Sequence, residues 1–144
     1  MGLDDHIYLS IPSPAWERAW QITETLVSQL KIDVEGKGAR FIVVTLTNSG
    51  QVFPRLEDTR RYEDRLGEKD LFYPERRMKK LANKRRIELI TLAQPFQEYA
   101  QKHNVWLHGF PNTGYGGHWN ENGHTLAAEL IAKYLCVPTT FLPP

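Results

Sequence analysis

The segment with the clearest capacity for chemistry is a glycine-rich stretch that leads to a histidine near the end of the chain. It reads G-G-H-W-N-E-N-G-H from Gly116 to His124 and is followed by an amphipathic stretch. Histidine has an ordinary pKa near neutrality, so an imidazole held on such a loop and anchored by a helix can act as a general base. The pattern predicts His118 as that base, with Trp119 and Asn120 beside it as contacts to a substrate.

A second candidate site follows the apolar run from Phe41 to Leu46. The next residues, T-N-S-G, end that run at Gly50. Binding and catalytic residues gather at the carboxyl ends of the strands of an open parallel sheet. Ser49 is therefore a candidate nucleophile and Asn48 a candidate substrate contact, although the segment lacks the G-x-S-x-G turn. A serine that only closes a turn is the more common case at such a position.

Metal binding is the alternative role for the histidines. A zinc site would use His108, His118 and His124, but the six-residue separation of the last two matches no common ligand pair. The single cysteine excludes a cysteine-rich zinc module and an internal disulfide framework. We expect no metal and no cofactor.

Apolar spacing predicts the helices that would position these residues. Ser13-Pro14 is typical of a helix start, and the glycines at 36 and 38 are typical of its end. Intervals of three and four predict one buried face on this helix, formed by Trp16, Ala19, Trp20, Leu26, Val27, Leu30 and Val34. Further helices are expected from Pro74 to about Lys84, from Pro95 to His103, and from about Asn122 to Leu135.

Two short runs, 41–46 and 87–92, are rich in β-branched and other apolar residues, which is typical of strands covered on both faces. Residues 51–73 are charged, with room for one short helix. Residues 105–107 form either an edge strand or extended chain, and 109–123 are expected to form a loop. The alternation of helices and strands indicates one α/β domain, 1–144, with a parallel sheet. Two strands make a small sheet, so we expect it to be incomplete.

The motif H-W-N-x-x-G-H, followed by a helix with alanines, resembles the last conserved block of the SGNH/GDSL hydrolases. From about residue 14 onward, the order of the segments is also similar to the C-terminal half of that family. The resemblance implies a three-layer, flavodoxin-like fold with helices on both faces of a parallel sheet. This chain would be the C-terminal portion of that fold.

The resemblance also implies hydrolysis of acyl esters by a serine esterase or lipase-like mechanism. His118 corresponds to the base of the family, which takes the proton of a serine as that serine attacks the ester carbonyl. The chain departs from the family in two respects. It contains no Gly-Asp-Ser block, which carries the nucleophile, and Tyr115 stands three residues before His118, where the family has an acid.

Three hypotheses follow. The chain is a truncated or split SGNH/GDSL-type hydrolase with little activity alone, a non-catalytic binding or structural module that retains the scaffold, or a self-contained hydrolase that uses Ser49 or a metal. An incomplete sheet would expose a strand edge and apolar surface. We therefore expect association, either with a second copy in a homodimer or with a missing N-terminal half.

Charge and composition restrict the other partners. A net charge of +1 argues against global electrostatic binding of nucleic acid. The basic run from Arg76 to Arg86 is interpreted as a solvated outer helix face, balanced by acidic residues nearby. No apolar stretch approaches the roughly 20 residues that cross a bilayer, and no signal peptide is visible. We expect a small-molecule ester substrate, no nucleic acid, no membrane and, by default, a cytoplasmic location.

Overall fold

The computed structural model describes residues 3–110 and 114–136 of the chain. The α-helices in this part are α1 (Pro14–Glu35), α2 (Leu56–Leu66), α3 (Tyr73–Arg85), α4 (Ala93–His103) and α5 (Glu121–Cys136). The strands are β1 (Ile42–Thr45), β2 (Glu88–Thr91), β3 (His108–Phe110) and β4 (Gly114–Trp119). Two 3₁₀ helices, Leu3–Tyr8 and Ser49–Gln51, complete the regular structure described.

The predicted parallel pair is present. Strands β1 and β2 run side by side in register from Ile42 opposite Glu88 to Thr45 opposite Thr91. The pair is joined through α2 and α3, as expected for parallel strands, which need a long crossover connection. This arrangement confirms the α/β class. Within residues 3–110 and 114–136, β1 has no strand partner besides β2.

Side chains of this strand pair enter two different apolar clusters. Ile42 and Val44 pack against a cluster that contains the fully buried Phe96 of α4 and residues of α5. Val43 packs against the second cluster, which contains Trp20 of α1 and residues of α3. Successive side chains of a strand point to opposite faces. Helices therefore contribute to the packing on each face of the pair.

The prediction of one continuous buried face on α1 is wrong. Trp20 is buried, but Leu26 and Leu30 are 59% and 53% exposed. Helix α1 has 22 residues and so is about 33 Å long. The four-residue strands beside it span only about 13 Å. The described sheet is too small to cover the whole helix.

The expectation of a loop over 109–123 is also wrong. Strand β4 occupies 114–119 and pairs antiparallel with β3, with His108 opposite Trp119 and Phe110 opposite Gly114. Residues 105–107 are not a strand, and β3 begins immediately after them. A strand is held by backbone hydrogen bonds, so a glycine-rich stretch can form one without the alternating side-chain pattern on which the prediction relied. This small second sheet carries the candidate base.

Candidate functional site

His118 lies in β4 and its side chain is exposed. The residue before it, Gly117, has a φ of +86°, a conformation that side-chain-bearing residues rarely adopt. The residue after it, Trp119, is partly buried. A backbone conformation that glycine permits therefore occurs immediately before the candidate base, and a partly buried aromatic side chain lies immediately after it.

A cleft of about 390 Å³ runs beside this strand. Its walls are formed by Leu46, Thr47, His108, Gly117, His118, Trp119 and His124. Leu46 and Thr47 directly follow β1, so the cleft lies at the carboxyl end of the parallel pair. The structure thus brings the two histidines of the sequence motif to the end of the strand where sites of open parallel sheets are found.

One chain of hydrogen bonds crosses the wall of this cleft. The indole Nε1–H of Trp119 donates to Thr47 Oγ1 at 2.7 Å, and Thr47 Oγ1 lies 2.9 Å from His108 Nε2. On its other side, His108 Nδ1 lies 2.7 Å from the carbonyl oxygen of Gly117. A carbonyl oxygen can only accept, so Nδ1 carries the hydrogen. In neutral imidazole the other nitrogen then accepts, and the Thr47 hydroxyl donates to it.

The environment of His108 favours this neutral form. Its residue surface is only 3% exposed. Burial lowers the pKa of His108, and the nearby His118 lowers it further, while the bond to the Gly117 carbonyl opposes the shift. The lowered pKa favours the neutral imidazole at pH 7, and the hydrogen-bond directions given above are those of that form.

Trp119 both lines the cleft and packs into the core. Its ring centre lies 5.2 Å from that of the fully buried Phe96. The ring of His124 meets it edge-on at 5.6 Å. Its position in the cleft is compatible with the predicted substrate contact, which stays a prediction.

Asn120 and Gly123 join the strand to helix α5. The Asn120 side chain accepts a bond from Gly123 N at 3.1 Å and donates one to Trp106 O at 2.8 Å. Its backbone N–H donates to Leu107 O at 3.0 Å. A Cβ on Gly123 would overlap that same carbonyl oxygen and lie 3.0 Å from the Cβ of Trp119. Asn120 therefore fixes the start of α5, and its role as a substrate contact stays a prediction.

Ser49 and Asn48 line a different cleft, of about 580 Å³, together with residues such as Asp5, Phe53 and Arg61. Asn48 caps the short helix at Ser49–Gln51 by accepting a bond from Ser49 N at 3.1 Å. His118 is not among the residues that line this cleft. The structure does not bring the candidate serine and the candidate base into one cleft, and the nucleophile role of Ser49 stays a prediction.

Three further sequence predictions concern Tyr115, metal binding and membrane-spanning helices. The side chain of Tyr115 lies outside the described part of the chain. Among the residues described, no three His, Cys, Asp or Glu side chains form a group that could hold a metal ion. In the same part of the chain, no helix combines the length and apolarity needed to span a membrane.

Acidic residues pair with part of the basic run. Some of them belong to α1, and not only to the neighbouring acidic segment that was expected from the sequence to balance it. Arg77 of α3 forms ion pairs with Glu17 and Glu24 of α1 at 2.7 Å each. Arg76 pairs with Asp70, one of the acidic residues expected to balance the run. Within the basic run, Arg77 therefore fastens α3 to α1.

Comparison of the chain with protein-family models, with curated proteins and with solved structures finds no match. Sequence reasoning missed the bond between Thr47 and His108, which lie 61 residues apart. The available signals were weak. Thr47 follows a predicted strand, and His108 follows an apolar run.

Proposed function

We propose that this chain carries the base-bearing part of an ester hydrolase of SGNH/GDSL type, with His118 as the general base. The observation that supports the proposal is the placement of an exposed histidine in a cleft at the carboxyl end of β1, with both of its neighbours in the chain fixed by the Thr47–His108 pair. The sequence motif around His118 points to the same chemistry.

In the proposed reaction, a serine hydroxyl attacks the carbonyl carbon of an acyl ester. The imidazole of His118 takes the hydroxyl proton as the new C–O bond forms, and then gives that proton to the departing alcohol. A water molecule, deprotonated by the same imidazole, attacks the acyl-serine, and the imidazole returns the proton to the serine oxygen as the acid leaves. The exposure of His118 leaves its ring accessible to a substrate in the cleft.

The proposal includes a larger sheet than the two parallel strands described. In a flavodoxin-like, three-layer arrangement a further strand would pair with the side of β1 that has no strand partner in the described part of the chain, between helices on both faces. The exposed apolar residues of α1 support this extension, because a wider sheet would cover them. The strand would come from a second copy of the chain or from a preceding half of the protein.

A non-catalytic binding or structural module is the competing function. One observation favours it: Ser49 and His118 line different clefts, so the candidate pair on this chain is not assembled. Under this alternative the Thr47–His108 pair would only stabilise the fold.

Fluorophosphonate labelling of the purified chain tests the proposal, because the probe reacts with activated serines. Intact mass and peptide mapping would be compared for the parent, His118→Ala and the control His103→Ala, which alters an exposed histidine at the end of α4. A serine label that is lost only in His118→Ala supports the proposal, and mapping shows whether Ser49 carries it. A serine label that persists in His118→Ala contradicts the proposal. If the folded chain takes no label, ester hydrolysis by the parent and by His118→Ala becomes the test of His118 itself.

A further inference from the structure

The strand that carries His118 needs an external support. The residues before it include Gly116 and Gly117, which restrict the backbone less than other residues do. His118 is exposed, so burial of its own ring does not fix it. A base acts efficiently only when it is held within hydrogen-bond reach of the proton it takes. The neighbours of His118 must therefore supply the positioning.

Both chain neighbours of His118 are tied to the same pair of side chains. The carbonyl of Gly117 is held by His108 Nδ1, and the indole of Trp119 is held by Thr47 Oγ1. His108 and Thr47 are in turn bonded to each other at 2.9 Å. The two ties on either side of His118 thus meet at one contact.

That contact also joins the two small sheets. Thr47 follows β1 of the parallel pair, whereas His108 begins β3 of the antiparallel pair. The three bonds run in one direction, from the Trp119 N–H through the Thr47 hydroxyl to His108 and on to the Gly117 carbonyl. Bonds aligned in this way polarise one another and become stronger. This series of hydrogen bonds requires a hydroxyl at position 47 and, in the direction described, a neutral imidazole at position 108.

We propose that Thr47 and His108 are positioning residues, which hold the peptide of His118 in place through its two chain neighbours. This inference rests on the proposed function of His118 and adds the device that orders it. The orientation of the base then comes from its backbone and its two chain neighbours.

Thr47→Val tests the proposal because valine keeps the shape of threonine and removes its hydroxyl. Thr45→Val is the matched control. Thr45 lies in β1, and its buried hydroxyl has no hydrogen-bond partner within the described part of the chain. Backbone ¹⁵N order parameters at Gly117 and His118 are the measurement, recorded with the thermal unfolding temperature. We expect them to fall from about 0.85, typical of rigid backbone, to below about 0.6 in Thr47→Val.

Thr45→Val should leave these values unchanged, and Thr47→Ser, which keeps the hydroxyl, should restore them. Values in Thr47→Val equal to those of the parent would overturn the proposal. If Thr47→Val does not fold, Trp119→Phe removes the indole donor from the other end of the chain of bonds, and the same local loss of order is expected. The order parameters can be measured whether or not the protein hydrolyses esters. If the order parameters fall in Thr47→Val but ester hydrolysis does not depend on His118, only the proposed function is rejected. If ester hydrolysis depends on His118 but the order parameters are unchanged in Thr47→Val, only the positioning role is rejected.

Discussion

At the scale of single residues, His118 can be identified from a local sequence pattern, whereas the Thr47–His108 pair that supports it cannot. His118 stands in a local pattern of glycines, tryptophan and asparagine, so its candidacy follows from residues within ten positions. The contact of Thr47 with His108 spans 61 residues. It depends on how β1 and β3 are placed in space, which no local pattern specifies. The sequence therefore singles out the motif histidine, but not the two side chains that hold its chain neighbours.

His108 gives the protein a predicted pH dependence. Burial lowers its pKa in the folded state, so the unfolded chain binds the proton more readily. Its contribution to stability is complete above the ordinary histidine pKa of about 6.5 and is lost as the pH falls toward the lower folded-state value. The slope for one proton is at most about 1.4 kcal/mol per pH unit.

Urea unfolding of the parent and of His108→Gln between about pH 5 and 8 measures this dependence. His108→Gln should be less stable at pH 8 and should lose less stability on acidification than the parent. His103→Gln, an exposed site, serves as the control and should follow the parent. Parallel curves for the parent and His108→Gln would show that His108 does not bind its proton as described.

At the scale of elements, the long helices were predicted well because their apolar spacing and caps are local. The start of α1 at Ser13-Pro14 was predicted from sequence, and the Ser13 side chain accepts a bond from Trp16 N at 3.4 Å. Strand β4 was missed because three of its six residues, Gly114, Gly116 and Gly117, are glycines, which leaves no alternation of apolar and polar side chains that would indicate pairing. The exposed half of α1 was missed because burial depends on the size of the sheet beside it.

The docking of α5 onto the second sheet gives a prediction at this scale. Gly123→Ala places a Cβ against the Leu107 carbonyl oxygen and beside Trp119. Overpacking of this kind costs typically about 1–3 kcal/mol, although alanine is by itself the better helix former. Asn122→Ala, at an exposed position in the same turn, is the control and should change stability by less than about 0.5 kcal/mol. Equal unfolding free energies for both variants would contradict the close contact.

At the scale of the whole molecule, composition and element order predicted the α/β class and the small parallel sheet. Because both strands were recognised by their apolar content, the parallel pairing followed from the helices between them. The completeness of a sheet, in contrast, is decided by long-range pairing. The structure shows one parallel and one antiparallel pair in the part described, and the predicted three-layer sheet remains a proposal.

Strand β1 has no partner on its second side within the described residues, and α1 exposes an apolar stripe; together they predict self-association. Ile22, Leu26 and Leu30 lie one turn apart and are each more than half exposed. Light scattering over a range of concentrations should show a mass that rises from monomer to dimer, and Leu26→Lys should shift it back. Ile11→Lys, at another exposed apolar residue, should leave association as in the parent. A constant monomer mass at the highest attainable concentration would count against the homodimer.

The central claim is that His118 acts as a base in ester chemistry, and the most direct measurement is the hydrolysis of p-nitrophenyl acetate by the parent, His118→Ala and His103→Ala. General base catalysis contributes about 10²–10⁴-fold in a complete site. A chain that supplies only the base should give a smaller rate above buffer. We predict that this rate falls by about tenfold or more in His118→Ala and is retained in His103→Ala. Equal rates in all three proteins would contradict the claim and favour the non-catalytic module.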